Sequence, residues 1–467
     1  MVTLQSAARI IAPAPGPEKQ DLRRQTQPTD NPLGQKDLLE FSDQALFGVQ
    51  TGQYIKKSRN QVLSDIDELS KNNRWDDLLS LYHPVDEKLP DLVAADMDRP
   101  VRLKVAFALG QAGRFDQAIQ ELTICVTAEP DHFMACASLA YTAYNSLWTA
   151  KNKKVFLAGK AKADRIGLAH EYFQKAQELR PDTVTNFYRE GMLFAQIENK
   201  PKPGLAKFEQ ACANWEGLTD QEREQRHQEK KNYIKSLYRS ASLLLLTGDS
   251  GKALDRISLC LKQDEPTNHI SLAFKYFALG KVHFHLNRFD DARSALMFAL
   301  QSNSKGQPND FINELLARTC LALGQTDKAL ETIDQVPEKF RRPYYRWTEA
   351  DVLCNAGRFD QARQILTRVA EKDARSRHKC LIRLSKIEYH LKNYDAAAAH
   401  AARACEFFTN NFGNPYLEGL FWQSLCTFNA GDRPKADQLL IQLEKSAGHY
   451  YPKLDQLRAM IRQPSSD

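Results

Sequence analysis

The segment Gly248-Asp-Ser-Gly-Lys252 sets glycines beside a lysine, the residue types of a phosphate-holding loop. That chemistry needs G-x-x-x-x-G-K-[ST] after a buried strand, so that backbone N–H groups cradle phosphate oxygens and a hydroxyl reaches Mg²⁺. Ala253 stands where the hydroxyl belongs, so a turn between helices is the expected role. His170-Glu171-Tyr-Phe-Gln174 opens like the zinc-protease helix H-E-x-x-H but lacks the second imidazole that zinc requires. His283 and His285 are two residues apart and point to different sides of a helix. His378, His390 and His400 are joined by no acid or cysteine pattern. Neither a G-x-S-x-G elbow nor a strand followed by G-x-G-x-x-G occurs. No catalytic residue, cofactor or metal is expected. The nine cysteines form no C-x-x-C pair, and most (Cys125, Cys260, Cys320, Cys354, Cys405, Cys426) fall inside helical patterns as small apolar side chains. That usage fits a reducing compartment, and a cytoplasm is the expected location.

Charge offers a second kind of chemistry. Lys151, Lys153, Lys154, Lys160, Lys162 and Arg165 oppose only Asp164 within residues 151–165, a patch for phosphate or an acidic protein. Arg375, Arg377, His378, Lys379 and Arg383 make a second basic run. The whole chain is nearly balanced, with 64 Lys+Arg against 58 Asp+Glu over 467 residues, so only a local patch could serve nucleic acid. Hydrophobic residues make up 42%, enough for a core. No apolar run is long enough to span a membrane, and the N-terminus lacks a secretory pattern. Its acid-free start up to residue 17 leaves an organelle-targeting segment as an option. No N-x-[ST] sequon is present.

What must position these side chains is a repeat. Ala112-Gly-Arg-Phe-Asp-Gln-Ala118 recurs identically as Ala356-Gly-Arg-Phe-Asp-Gln-Ala362. Looser copies are Asn287-Arg-Phe-Asp-Asp-Ala292, Lys392-Asn-Tyr-Asp-Ala-Ala397, Gly324-Gln-Thr-Asp-Lys-Ala329, Gly248-Asp-Ser-Gly-Lys-Ala253 and Gly431-Asp-Arg-Pro-Lys-Ala436, with Asn73-Arg-Trp-Asp-Asp-Leu78 as a degenerate one. Gly or Asn ends one helix where positive φ is needed. The aromatic opens the next helix, Asp suits its dipole, and the small residue lets the pair approach closely. After Phe115, the residues Ala118, Ile119, Leu122, Cys125 and Val126 recur at helical spacing until Pro130.

This grammar resembles the tetratricopeptide repeat, a helix pair with small residues near its eighth, twentieth and twenty-seventh positions and an aromatic at the seventeenth. Anchored on the aromatic slot, units fall near Trp75, Phe115, Ile166, Pro201, Ser250, Phe289, Thr326, Phe359, Tyr394 and Arg433, a mean spacing of about 40 against the family's 34. The resemblance covers residues 59–447 and implies an all-α, right-handed α-α superhelix of about eight to ten helix-turn-helix repeats with terminal caps. Repeats occupy 59–213, with a basic insertion at 145–168, and 214–447. Thr219 with Glu222 is a capping box, expected to start one long helix running into Tyr233–Leu246. A break there would make two solenoid halves. Residues 1–35 read as a flexible Pro-rich tail. Residues 36–58 read as a capping helix or a linear motif, and 448–467 as a capping helix, with Leu454, Leu457 and Met460 on one face, and a loose tail.

In this family the second, fifth, sixth, ninth, twelfth and thirteenth positions of the first helix tend to line a concave groove. Counting back places Lys235, Tyr238 and Arg239 there, then Phe274, Phe277, Lys281, Phe284 and His285, then Glu314 and Arg318, then Tyr344, Trp347, Asp351 and Asn355, then Lys379, Arg383, Lys386 and Tyr389, then Phe421, Trp422 and Phe428. Aromatics interleaved with cations suit a peptide carrying acids. Lys379/Arg383 and Lys235/Arg239 match half of the family's carboxylate clamp, but no earlier unit supplies the matching Lys and Asn. The expected role is a non-catalytic scaffold, adaptor or co-chaperone that captures an acidic segment of a protein partner. A solenoid that binds nucleic acid through its basic segments is the alternative. A self-assembling structural solenoid is a third reading, so the homo-oligomeric state stays open.

Overall fold

A computed structural model describes residues 52–153, 155–265, 267–304, 309–448, 451 and 453–462, with side chains from residue 59. The proline-rich tail 1–35, residues 36–51 of the expected cap, Lys154 and residues 463–467 lie outside the described residues. The described chain is all α, without a strand, and divides into two compact units at Ser271/Leu272, rather than near residue 214.

The first unit contains five helix hairpins. They are α1 (Gly52–Lys71) with α2 (Trp75–Tyr82), then, after two short helices, α3 (Val85–Lys88) and α4 (Pro90–Ala94), α5 (Arg99–Gln111) with α6 (Phe115–Ala128), and α7 (Phe133–Lys153) with α8 (Gly159–Leu179). α9 (Val184–Met192) continues as a π-helical stretch, Leu193–Glu198, and pairs with α10 (Pro201–Glu216); after α11 (Asp220–Gln225) come α12 (Lys230–Thr247) and α13 (Ser250–Gln263). The second unit has α14 (Leu272–His285) with α15 (Phe289–Gln301), α16 (Asp310–Ala322) with α17 (Thr326–Asp334), α18 (Pro343–Asn355) with α19 (Phe359–Lys372), α20 (Arg377–His390) with α21 (Tyr394–Phe412), α22 (Leu417–Asn429) with α23 (Arg433–Ala447), and the single α24 (Leu454–Arg462). Within the second unit each first helix touches the first helix of the next pair.

Nine of the ten anchors open a second helix, and two residues before each sits a residue of positive φ: Asn73, Gly113, Asn199, Gly248, Asn287, Gly324, Gly357, Lys392 and Gly431. The next N–H reaches five residues back, as from Arg114 to Leu109 O at 2.8 Å and from Arg358 to Leu353 O at 2.8 Å, which satisfies a carbonyl that the ending helix leaves open. The small residue after the aromatic is sealed, as at Ala118, Ala292, Ala362 and Ala397. A lone hairpin cannot cover its apolar stripe, so burial comes from stacking on its neighbours.

Three expectations change. Ile166 lies inside α8, because α7 and α8 are simply long. The expected insertion 145–168 is thus mostly helix, with a link at 155–158. The capping box at Thr219 forms, Glu222 N–H donating to Thr219 Oγ1 at 3.3 Å, but the helix it starts ends at Gln225. A 3-10 turn, His227–Glu229, intervenes and aims Glu229 at the start of α9, where its carboxylate accepts from Val184 N–H at 3.1 Å and Thr185 N–H at 3.0 Å. Finally, α1 runs through residue 58 as the first helix of hairpin one, and α24 buries Leu454, Leu457 and Ile461 while Met460 faces out.

The π stretch has a packing cause. Counting back from Pro201 puts Met192 at the eighth position, yet the close contact is made by Gly191, where a Cβ would stand 2.7 Å from the Phe208 ring. One extra residue in the first helix, taken up as a π turn, resets the register, and Lys200 N–H correspondingly reaches six residues back to Phe194 O.

Candidate functional site

The first helices of the second unit carry a row of rings topped by cations. Arg318 of α16 lies 5.0 Å over the Phe284 ring of α14. Lys379 and Arg383 of α20 lie 4.8 and 5.6 Å over Trp347 of α18. Lys386 lies 5.3 Å over Trp422 of α22, whose ring meets Tyr389 edge-on at 5.6 Å. The same cations also meet carboxylates. Arg383 grips Asp351 with Nε and Nη2, both at 3.0 Å. Lys386 donates to Glu418 at 2.8 Å, and Arg318 stands 3.6 Å from Glu314. The Arg383–Asp351 and Lys386–Glu418 links join one hairpin to the next, as does Thr348 Oγ1 to Glu314 at 2.6 Å, while Arg318–Glu314 lies within α16.

Burial works against the charge on Glu418, but Lys386 and Arg383 beside it hold its carboxyl below the usual range. Arg318, Lys379, Arg383, Lys386 and Tyr389 are half-buried, as are Lys281 and Phe284, while Trp347 and Phe277 are buried. Phe277 is wedged against Phe311 at 4.7 Å. The surface is therefore rings and charge pairs in register.

Three expected groove residues belong to the first unit, where α12 packs on α9, α10 and α13 at once. Lys235, Tyr238 and Arg239 are at most 5% exposed there, so they sit within the packing, with Arg239 5.9 Å over the Tyr238 ring. Counting positions cannot see how many helices surround one helix. The first unit's own first-helix face has a small cleft of about 20 Å³ between Leu103, Phe107 and Gln111 of α5, Phe115 of α6, and Tyr141 and Asn145 of α7. Of the basic segment, Lys151 Nζ donates to Gln196 O and Arg165 pairs with Asp116, while Lys153, Lys160 and Lys162 are exposed.

The residues weighed for catalysis have structural partners. Asp249 caps α13 by accepting from Lys252 N–H at 3.1 Å, which uses the loop that resembled a phosphate cradle. His170 sits between Glu190 at 2.9 Å and Glu198 at 2.8 Å, one on each ring nitrogen. Burial lowers its pKa, but the two carboxylates outweigh that and hold it above the ordinary value. His378 is packed among Phe407, Phe408, Phe412 and Tyr416, and burial lowers its pKa to about 4. Burial pushes the Cys125 and Cys354 thiols up to about 12, the reverse of what a nucleophile needs. Among the described residues, no group of three His, Cys, Asp or Glu could hold a metal.

Residues 205–382 match the family model described as a tetratricopeptide repeat-like domain. The chain carries a tetratricopeptide repeat-like domain. No curated protein matches the chain. Among solved structures of tetratricopeptide repeat proteins, one from Parabacteroides merdae is 10% identical, with 60% of this chain and 98% of that one covered and a TM-score of 0.45. PilF of Pseudomonas aeruginosa is 14% identical over 55% of this chain and 98% of its own, with a TM-score of 0.40. Yeast Tom70 is 12% identical over 87% and 95%, with a TM-score of 0.38. In repeat numbering, Trp347 is a fifth position, Asp351 and Lys386 are ninth positions, Lys379 is a second and Arg383 a sixth. Glu418 is a second position of the following hairpin, was not among the expected groove residues, and is found by the same count.

Proposed function

We propose that the protein is a non-catalytic scaffold or adaptor that holds an extended segment of a partner protein on the first-helix face of its second unit. The observation that carries this reading is the row of ring–cation stacks from Phe284/Arg318 through Trp347/Lys379/Arg383 to Trp422/Lys386. Such a row offers contact area from rigid rings and charge-assisted hydrogen bonds from cations, the two ingredients of peptide hot spots. A peptide carboxylate would take over hydrogen bonds that Asp351 and Glu418 now accept, so acidic residues spaced like those two are the expected ligand pattern. Nine free thiols, mostly buried, fit a reducing compartment such as a cytoplasm.

The test is binding of acidic peptides from an array to the full chain, measured by fluorescence anisotropy. Lys379→Glu with Arg383→Glu should weaken the selected peptide by at least about tenfold, with helicity unchanged. Unaltered affinity would remove the groove reading.

A further inference from the structure

The link between α7 and α8 is Val155-Phe-Leu-Ala158, four apolar residues outside any helix. Phe156 is 88% exposed, more than any other large apolar side chain among the described residues, and Val155 is 59% exposed. Both ends of the link are pinned. Val155 N–H donates to Ala150 O at 2.9 Å, and Ala158 O accepts from Lys162 N–H at 2.9 Å. The end of α7 is further tied by Lys151 to Gln196 O. The tip is thus a short, held turn that presents a ring to solvent. Within residues 151–165, Lys153, Lys160 and Lys162 are exposed, against one exposed acid, Asp164, while Arg165 pairs with the exposed Asp116.

The geometry points to a membrane-surface anchor: the 155–158 tip enters the headgroup region of an anionic phospholipid bilayer, with Lys153, Lys160 and Lys162 on the phosphates. An exposed apolar ring is unfavourable in water and favourable at the acyl–headgroup boundary, while each lysine near an anionic surface adds attraction. The charge complementarity selects an anionic surface over a neutral one. RNA fits less well, because base stacking uses rings supported on a groove or platform, and here the ring is flanked by aliphatic side chains at a protruding turn. This anchor is separate from the peptide-binding face of the second unit and does not depend on it.

The test is co-sedimentation of the full chain with vesicles of phosphatidylcholine alone and of phosphatidylcholine mixed with phosphatidylglycerol, alongside a gel shift with single-stranded RNA. The protein should bind the mixed vesicles only, and salt should weaken binding. Phe156→Ser should reduce binding by about tenfold, and Lys153→Glu with Lys160→Glu and Lys162→Glu should abolish it, both with unchanged circular dichroism. Phe156→Trp should add a blue-shifted emission component on the mixed vesicles, quenched by brominated lipid. Absence of binding to mixed vesicles, binding insensitive to Phe156→Ser, or a tryptophan that stays in water would each overturn the proposal. So would RNA binding that needs these residues without vesicle binding.

Discussion

A repeat protein is governed by a few positions where one atom more or less changes the fit. Gly280 on α14 is one: a Cβ there would stand 2.7 Å from Leu296 Cγ and 3.2 Å from Ala292 O on α15. Backbone atoms cannot move aside as a flexible side chain would, so Gly280→Ala should destabilise by about 1–3 kcal/mol, read from urea unfolding. Lys392 is the reverse case. Its φ of +61° fills the slot that Gly113, Gly324 and Gly357 occupy in other hairpins. A side chain in that region costs roughly 1–2 kcal/mol, and glycine's extra unfolded-state freedom returns roughly 0.5–1. Lys392→Gly should therefore raise stability by about 0.5–1 kcal/mol, and a lower urea midpoint would show that the lysine is not strained.

Helices here are held as much by their neighbours' side chains as by their own caps. α9 has no cap from Thr183, and Glu229, arriving from the turn before α12, accepts two of its first N–H groups instead. Glu229→Ala should cost about 1 kcal/mol, the usual worth of a cap placed on a helix dipole, and speed amide exchange at Val184 and Thr185 first. Exchange unchanged at those two amides would refute the assignment. This detail also marks where reading the chain stops working. Hairpin ends were legible because each is a local sentence: a positive-φ residue, a spacer, an anchor and a sealed small residue. The anchor near Ile166 failed because no such turn precedes it. The expected long helix from Thr219 failed because its interruption serves a helix more than 40 residues earlier. In the candidate site, Trp347, Asp351, Lys379, Arg383 and Lys386 were placed on one face by position, but their pairing was not legible: Arg383 meets Asp351 and Lys386 meets Glu418 across adjacent hairpins, 32 residues apart. The burial of Tyr238 depends on three packed neighbours, which no single helix encodes.

A histidine in each unit is shifted, and the two shifts have opposite signs. In the first unit, burial works against the charge on His170, but Glu190 and Glu198, one at each ring nitrogen, raise its pKa above the unfolded value of about 6.5. Its contribution is fully present below that value and is lost as pH climbs through the raised one. In the second unit, His378 is lowered to about 4, first by burial and then by Lys379, with Glu418 and Asp373 opposing; His283, His390 and His400 are lowered by burial as well. Between pH 6.5 and 4 the unfolded chain binds protons that the folded unit refuses, so stability there falls as pH falls. The shift at His378 is worth roughly 3 kcal/mol at about 1.4 per pKa unit. Pulse-labelling hydrogen exchange on the full chain, corrected for intrinsic rates, should show α18–α22 losing protection on acidification from pH 7 to 4.5, and α8–α10 losing it from pH 6 to 9. His378→Phe, which keeps a ring among Phe407, Phe408 and Tyr416, should remove most of the acid response, and His170→Gln should flatten the alkaline one. An acid response left intact by His378→Phe would mean that carboxylate pairing, such as Asp351 with Arg383 or Glu418 with Lys386, controls the second unit instead.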